Sequence, residues 1–253
     1  FDNSKEIYLL GENGDGKSLV LMAIYLSFNG QYILKETDFG KTGAVVALVR
    51  NAQNLELRGL DNAGKEYGLS KNASLNNFYA YGTHRGRFAY DNNPPEQYGF
   101  MSLFDINETL ANPVSWLLSQ KAIELEKRLD EQNAFYEEKT YPVHFSVSFI
   151  QNLIHELLER NVSVEIDVTN VIFKEKGHSL TFAQLSEGYR SILIFVVDFM
   201  VRLTQSVQNG EVNPKDIKGI VLVDEIDQHL HLRWQRAIVS KLRRIFPQIQ
   251  FIM

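Results

Sequence analysis

Apolar and polar positions along the chain alternate between two rhythms, one of period two and one of helical period. Ile7-Tyr8-Leu9-Leu10 is a short apolar run of β type, and Leu19–Ile24 reads as a buried helix. Asn29-Gly30 then signals a turn. Ala44–Val49 is β-branched and apolar, and Leu55–Leu60 alternates with period two before the turn residues Asp61-Asn62-Ala63-Gly64. A small antiparallel sheet is predicted there. Phe78–Tyr81 is another strand, leading into Gly82-Thr83-His84-Arg85-Gly86-Arg87, and the paired prolines within Asp91–Gln97 exclude helix. A helical stretch runs from Trp116 through Glu138, with Ala122, Leu125 and Leu129 on its apolar face. Thr140-Tyr141-Pro142 ends it. A second helix covers about 147–159, with a stripe of Val147, Ile150, Ile154, Leu157 and Leu158. These two helices predict an arm or lid inserted at about 113–160.

Val162–Asp167 and Val171–Glu175 flank Thr169-Asn170 as a hairpin, and Ser179–Phe182 adds a strand. A long apolar helix follows Gln184–Ser191 and reaches about Val207. Gly219–Val223 is a buried-type strand, Arg233–Phe246 is a helix stopped by Pro247, and the chain returns as a strand over Ile249–Met253. Strands and helices in alternation predict an α/β fold with a mostly parallel core sheet.

Chemistry concentrates at three places. Gly11-Glu12-Asn13-Gly14-Asp15-Gly16-Lys17-Ser18 fits the phosphate-loop pattern G-x-x-x-x-G-K-[ST] at every specified position, between a strand and a helix. Glycines let successive N–H groups face a phosphate, and the helix N-terminus adds partial positive charge. Lys17 would reach the β- and γ-phosphates, and the Ser18 hydroxyl would ligate Mg²⁺. The second place is Asp224-Glu225, two acids at the end of an apolar strand. An acid there faces the crevice at the carboxyl ends of the strands. Asp224 would hold Mg²⁺ opposite Ser18, and Glu225 would orient or deprotonate the attacking water. The third is Leu185-Ser186-Glu187-Gly188, which by spacing alone is an ordinary helix start with Ser186 as N-cap.

Bulk properties narrow the field only modestly. The chain has 253 residues, room for one large domain or two small ones. A net charge of −5 argues against a uniformly basic nucleic-acid binder. No apolar run reaches the roughly 18 residues of a transmembrane helix. With no cysteine there are no disulfides or cysteine metal sites, and the composition fits an intracellular, cytoplasmic protein. The first residue is Phe and both ends enter or leave β-type runs abruptly, so the chain reads as part of a longer protein. His229 and His231, with Asp227, lack a third and fourth ligand for a metal. The basic residues Arg233, Arg236, Lys241, Arg243 and Arg244 read as a solvated helix face, with a DNA contact or partner surface as the alternative. His84, Arg85 and Arg87 are either contacts to a phosphate or partner, or plain loop charges.

Taken together, Gly11–Ser18 (Walker A), Leu185–Ser191 (signature motif) and Val221–His231 (Walker B and the following loop) resemble the ABC-type ATPase heads of structural-maintenance and RecF-like proteins. Asp224–His231 followed by Trp234-Gln235, together with Ser102–Asp105, Asn112-Pro113 and Trp116-Leu117, looks like the bacterial AAA-21/OLD-like ATPases. Such ATPases commonly accompany an HNH nuclease in Septu-type and retron anti-phage systems. The resemblance implies one P-loop NTPase domain over 1–253: an ABC-type head, a small antiparallel β subdomain and a helical insertion. It implies ATP and Mg²⁺ as cofactors and a homodimer with two ATP molecules in its interface. The Ser186 hydroxyl and Gly188 N–H of one protomer would meet the γ-phosphate held by the other. Glu187 and Tyr189 stand where transporter ATPases carry Gly and Gln, and Tyr81–Arg85 lies near where a Q-loop glutamine is expected. Three readings follow: an ATPase switch controlling a nuclease or other effector, a repair or chromosome ATPase acting on DNA, and an ATP-dependent binding module with little turnover.

Overall fold

The computed structural model describes residues 6–12, 15–33, 45–50, 55–60, 66–68, 77–89, 100–132, 139–158, 162–205, 207, 210–228, 230, 232–235 and 237–253. In chain order the first half contains β1 (Glu6–Ile7), α1 (Lys17–Ile33), β2 (Val45–Arg50), β3 (Leu55–Leu60), β4 (Glu66–Gly68), β5 (Phe78–Tyr81), α2 (Met101–Phe104) and α3 (Pro113–Gln132). The second half contains α4 (Val147–Leu157), β6 (Val162–Ile166), β7 (Val171–Glu175), β8 (His178–Leu180) and α5 (Glu187–Gln205). It ends with β9 (Gly219–Val223), α6 (Leu232–Gln235), α7 (Ile238–Ile245) and β10 (Ile249–Ile252).

The core sheet has the order β1-β10-β9-β5, and every pairing in it is parallel. Its near-continuous apolar strands are what a sheet covered on both faces requires. Alternate residues go to opposite layers. Phe78, Ala80, Leu222 and Ile252 pack with Leu21 and Tyr25 of α1 and Leu103 of α2. Tyr81, Val221, Val223, Ile249 and Phe251 face the larger core with α5. There Phe199 meets Phe246 at 5.1 Å and Phe251 at 6.4 Å between ring centroids. Every residue of α5 from Ser191 to Leu203 is buried, Asp198 and Arg202 included, so the middle of this helix is enclosed on all sides.

Two antiparallel sheets, β2-β3-β4 and β6-β7-β8, complete the α/β fold. β6 alternates strictly, with Val162, Val164 and Ile166 inward. α4 buries the expected Val147, Ile150, Ile154 and Leu157, with Leu158 just beyond its end.

Several local expectations are corrected. β1 spans only Glu6–Ile7, because Tyr8 and Leu10 turn outward as the chain bends into the loop. α1 runs straight through Asn29-Gly30; one interior glycine costs a helix about 1 kcal/mol, which 17 residues absorb. α3 begins at Pro113, three residues before Trp116. Asn112 Oδ1 accepts the N–H groups of Val114 and Ser115, and proline suits the first helical position. Its buried side chains are Pro113, Leu117 and Gln120, while Ala122 and Leu129 are exposed. The buried side chains lie in the first half of that helix, where Gln120 Oε1 accepts the Phe145 N–H at 2.8 Å; in the second half Asp130 Oδ2 accepts from Tyr141 Oη at 2.8 Å. Strand β8 stops at Leu180, and Phe182–Gln184 forms a 3-10 turn instead. Gln184 Oε1 accepts the Thr181 N–H at 2.8 Å and closes it. The final helix is two, α6 and α7, because Ala237 N–H bonds Trp234 O, three residues back, and tightens the chain between them. The turn read at 61–64 and the loop read at 91–97 lie outside the described residues.

Candidate functional site

Where β1 gives way to the phosphate loop, main-chain bonds tie it to the last strand: Leu9 N–H to Met253 O at 2.5 Å and Met253 N–H to Ile7 O at 2.9 Å. The loop then closes on itself. Asp15 Oδ2 accepts the Glu12 N–H at 2.6 Å, and Asp15 N–H returns to Glu12 O at 3.2 Å. A Cβ on residue 11 would lie 2.7 Å from that carboxylate, so only glycine leaves space for the closure. Gly16 enters α1 at φ +81°, in the left-handed region. Lys17 Nζ donates to Gly11 O at 2.9 Å and to Glu12 O at 2.8 Å, which holds its ammonium over the loop. Asn13 and Gly14 lie outside the described residues.

Ser18, one residue into α1, faces the end of β9. Its hydroxyl donates to Asp224 Oδ2 at 2.5 Å, although β10 lies between β1 and β9 in the sheet. Asp224 is buried, and its N–H bonds Tyr81 O at 2.8 Å, so β5 sets its height. A hydroxyl and a carboxylate in contact are hard oxygen donors of the kind Mg²⁺ takes. Glu225 has φ +44° and accepts the Gln228 N–H on its carbonyl at 3.0 Å. Its half-buried side chain has no hydrogen bond or ion pair among the described residues.

Arg85 is the residue the sequence reading left undecided, and its guanidinium is buried. Nη1 donates to Gly82 O at 2.5 Å and Asp224 O at 2.6 Å, and Nη2 donates to Glu225 O at 2.6 Å. Desolvation pushes its pKa down to about 10, against the opposing pull of Asp224, Asp227 and Glu225, and the group stays cationic at neutral pH. Its position four residues past a buried strand was the available signal; a basic loop gives no hint that one arginine turns inward.

Ser186 and Gly188 form a separate group. Ser186 is exposed, and its Oγ accepts the Tyr189 N–H at 3.4 Å, a long N-cap bond. Gly188 lies in the first turn of α5. Among the described residues neither is bonded to the phosphate loop. A cleft of about 300 Å³ separates the start of α5, with Glu187 and Arg190, from Arg85, Arg87 and Gln228. Tyr189 stacks on Trp234 of α6, with ring centroids 4.6 Å apart. His229 and His231 lie outside the described residues, among which no group of three metal-ligating side chains occurs. No helix of the described residues is long and apolar enough to cross a membrane.

A glycine loop between strand and helix, joined through its serine to an acid at the end of a parallel strand, defines a P-loop nucleotide-binding domain. The chain belongs to the family described as "AAA domain, putative AbiEii toxin, Type IV TA system", whose model matches residues 8–253. It is similar to the Septu protein PtuA of Bacillus mycoides (strain KBAB4), 28% identical over 264 residues that cover 99% of this chain and 34% of that protein. The Retron Ec83 probable ATPase of Escherichia coli is 34% identical over 126 residues, covering 49% and 22%. The Retron Vc95 probable ATPase of Vibrio cholerae serotype O1 biovar El Tor is 30% identical over 154 residues, covering 60% and 28%. The chain thus spans about a third or less of these relatives' lengths. Among solved structures, the SMC head domain from Thermotoga maritima aligns at TM-score 0.44 and 14% identity, over 98% of this chain and 79% of that one.

Proposed function

We propose that this chain is the nucleotide-binding head of a dimeric Mg-ATPase switch that controls an associated effector, an HNH-type nuclease of anti-phage defence in the cytoplasm. The observation that carries the ATPase reading is the Ser18–Asp224 contact, which joins the phosphate loop to the acidic strand end. In this reading Gly11–Gly16, with Asn13 and Gly14 among them, cradle the phosphates once the Glu12 and Asp15 N–H groups leave their bonds within the loop, and Lys17 neutralises the β- and γ-oxygens. Ser18 and Asp224 hold Mg²⁺, which when bound offsets the charge that develops on the transferred phosphoryl group. Glu225, whose carboxylate makes no hydrogen bond among the described residues, accepts the proton of the attacking water. Ser186 and Gly188 complete the site of a second copy, in keeping with their separation from the phosphate loop. ATP-dependent closure is then a population shift driven by contacts made only in the dimer.

The names of the Septu and retron relatives support the defence assignment. The single-domain reading of 1–253, with α3 and α4 as a helical insertion at about 113–160, belongs to the same proposal. On the last helix Arg243 pairs with Glu6 and Arg244 with Glu156, each at 2.7 Å, while the side chains of Arg233 and Arg236 lie outside the described residues.

The test uses the full-length protein. Lys17→Ala abolishes ATP binding, whereas Glu225→Gln binds ATP and accumulates as a closed dimer, visible by light scattering. Hydrolysis by Glu225→Gln at the parent rate would remove Glu225 from the role of base.

A further inference from the structure

The three acceptors of the Arg85 guanidinium are all main-chain carbonyls, and two belong to the consecutive acids at the end of β9. One fork spans Asp224 O and Glu225 O, the two carbonyls that bracket the Glu225 backbone. Glu225 itself sits at φ +44°, a conformation that a residue with a Cβ avoids unless its surroundings over-determine it. The surroundings here are identifiable. Asp224 N–H is held by Tyr81 O from β5, Gln228 N–H reaches Glu225 O, and Arg85 fixes both carbonyls from the side of the cleft. The Nη1 that reaches Asp224 O also donates to Gly82 O at 2.5 Å, which ties the guanidinium to the start of its own loop.

We propose that Arg85 is a positioning residue: it clamps the Asp224-Glu225 main chain so that the strained Glu225 presents its carboxylate to the nucleotide site. The proposal rests on the reading of Glu225 as the base. Arginine suits the task because its planar fork aims two parallel N–H groups at carbonyls one peptide apart, while lysine is a point donor on a flexible stem. No side-chain carboxylate accepts from Arg85 among the described residues, so the clamp leaves the acids themselves free for chemistry. Arg85 touches neither the phosphate loop nor Ser18 among the described residues, so its removal acts on turnover and leaves nucleotide binding in place.

The experiment measures ATP turnover and binding of a fluorescent ATP analogue on the full-length protein, with melting curves as a check of folding. The variants are Arg85→Lys, Arg85→Ala, Glu225→Gln and Arg85→Ala/Glu225→Gln. Misplacing a catalytic group by about 1 Å costs about 100-fold, so Arg85→Ala is expected to lose about that much in kcat with nucleotide affinity changed less than about threefold. Arg85→Lys, which keeps the charge, is expected to recover at most about a tenth of the parent rate. The double variant is expected to match Glu225→Gln, since residues acting through one another are not additive. Losses that multiply in the double variant would overturn the proposal, as would parent-like turnover in either Arg85 variant. If Arg85→Lys fails to fold, Arg85 belongs to the fold and the proposal also falls. Parent-like turnover in Glu225→Gln overturns the base assignment instead and is read from that variant alone.

Discussion

Ser18 and Asp224 lie 206 residues apart in sequence, yet the serine hydroxyl donates to the aspartate carboxylate at 2.5 Å. The two stand at the start of α1 and the end of β9, so the contact reports that helix and sheet meet in the register a metal–phosphate site needs. On the proposed function both are magnesium ligands. Ser18→Ala removes a neutral donor, and Asp224→Asn removes a charge. Turnover is expected to fall in both by about 100-fold or more, with the magnesium half-saturation point displaced upward, further for Asp224→Asn. A magnesium titration of the ATPase rate checks this, and an unchanged half-saturation point in both variants would remove the pair from the metal.

A second buried cluster tests the coupling of α5 to the sheet. Asp198 is fully buried and accepts from Tyr81 Oη at 2.9 Å, Ala111 N–H at 2.9 Å and Arg202 Nε at 3.2 Å. Burial alone would lower the Arg202 pKa, and the charge and hydrogen bond of Asp198, together with Tyr81 and Tyr79, outweigh it and leave it raised. Removing one partner of a buried pair strands the other charge, at a cost of about 3–5 kcal/mol. Asp198→Leu is therefore expected to destabilise by about that amount, and Asp198→Leu/Arg202→Met by less. Urea melts of the three proteins measure the difference. A double variant weaker than the single would show that the pair acts otherwise than as compensated charges.

Tyr81 gives the same cluster a pH signature. Burial, reinforced by the negative charge of Asp198, holds its phenol well above the ordinary value of 10.0. The folded protein therefore keeps the proton where the unfolded chain gives it up. The stability that follows is complete below pH 10 and is lost as the pH climbs past the unfolded value toward the folded one. Tyr81→Phe is expected to cost about 2 kcal/mol at pH 7, the worth of a hydrogen bond to a charged acceptor. That deficit should shrink above pH 10, because only the parent carries the ionisation. Urea melts from pH 7 to 11 decide it; a deficit constant across that range would contradict the assigned donor.

What the residue pattern reveals depends on whether the physics is local. The phosphate loop was legible because glycine conformation, Lys17 and Ser18 are all specified within eight positions, and Asp224 because an acid ends an apolar strand. The parallel sheet followed from the apolar strands, and the inward stripe of α4 from its spacing. Arg85 and Asp198 were not legible, since each derives its meaning from partners more than eighty positions away. On α3 the spacing singled out Ala122, Leu125 and Leu129, but the fully buried side chains lie in its N-terminal half, and Ala122 and Leu129 stay exposed. Periodicity marks a face that suits burial; a contact across the fold decides whether it is used.

The last prediction concerns the stack of Tyr189 on Trp234, which joins the signature turn to α6 at 4.6 Å and an interplanar angle of 29°. Tyr189 lies three residues after Ser186, and its N–H is the group that Ser186 Oγ accepts. The ring thus anchors the turn that presents Ser186 and Gly188, while Trp234 is itself buried. Trp234→Ala opens a cavity at a cost of about 3–5 kcal/mol, and Trp234→Phe keeps a stacking partner at a smaller cost. Both leave the phosphate loop alone, so nucleotide binding by a single protomer is expected to persist in any variant that stays folded. On the proposed function, ATP-dependent association should weaken in Trp234→Ala and recover largely in Trp234→Phe, because an unanchored turn would have to be ordered before it could bind a partner's phosphate. Sedimentation of the full-length Glu225→Gln protein with ATP, alone and carrying each Trp234 substitution, measures this directly. Equal association in all three would mean that the stack stabilises the domain and has no part in presenting the signature.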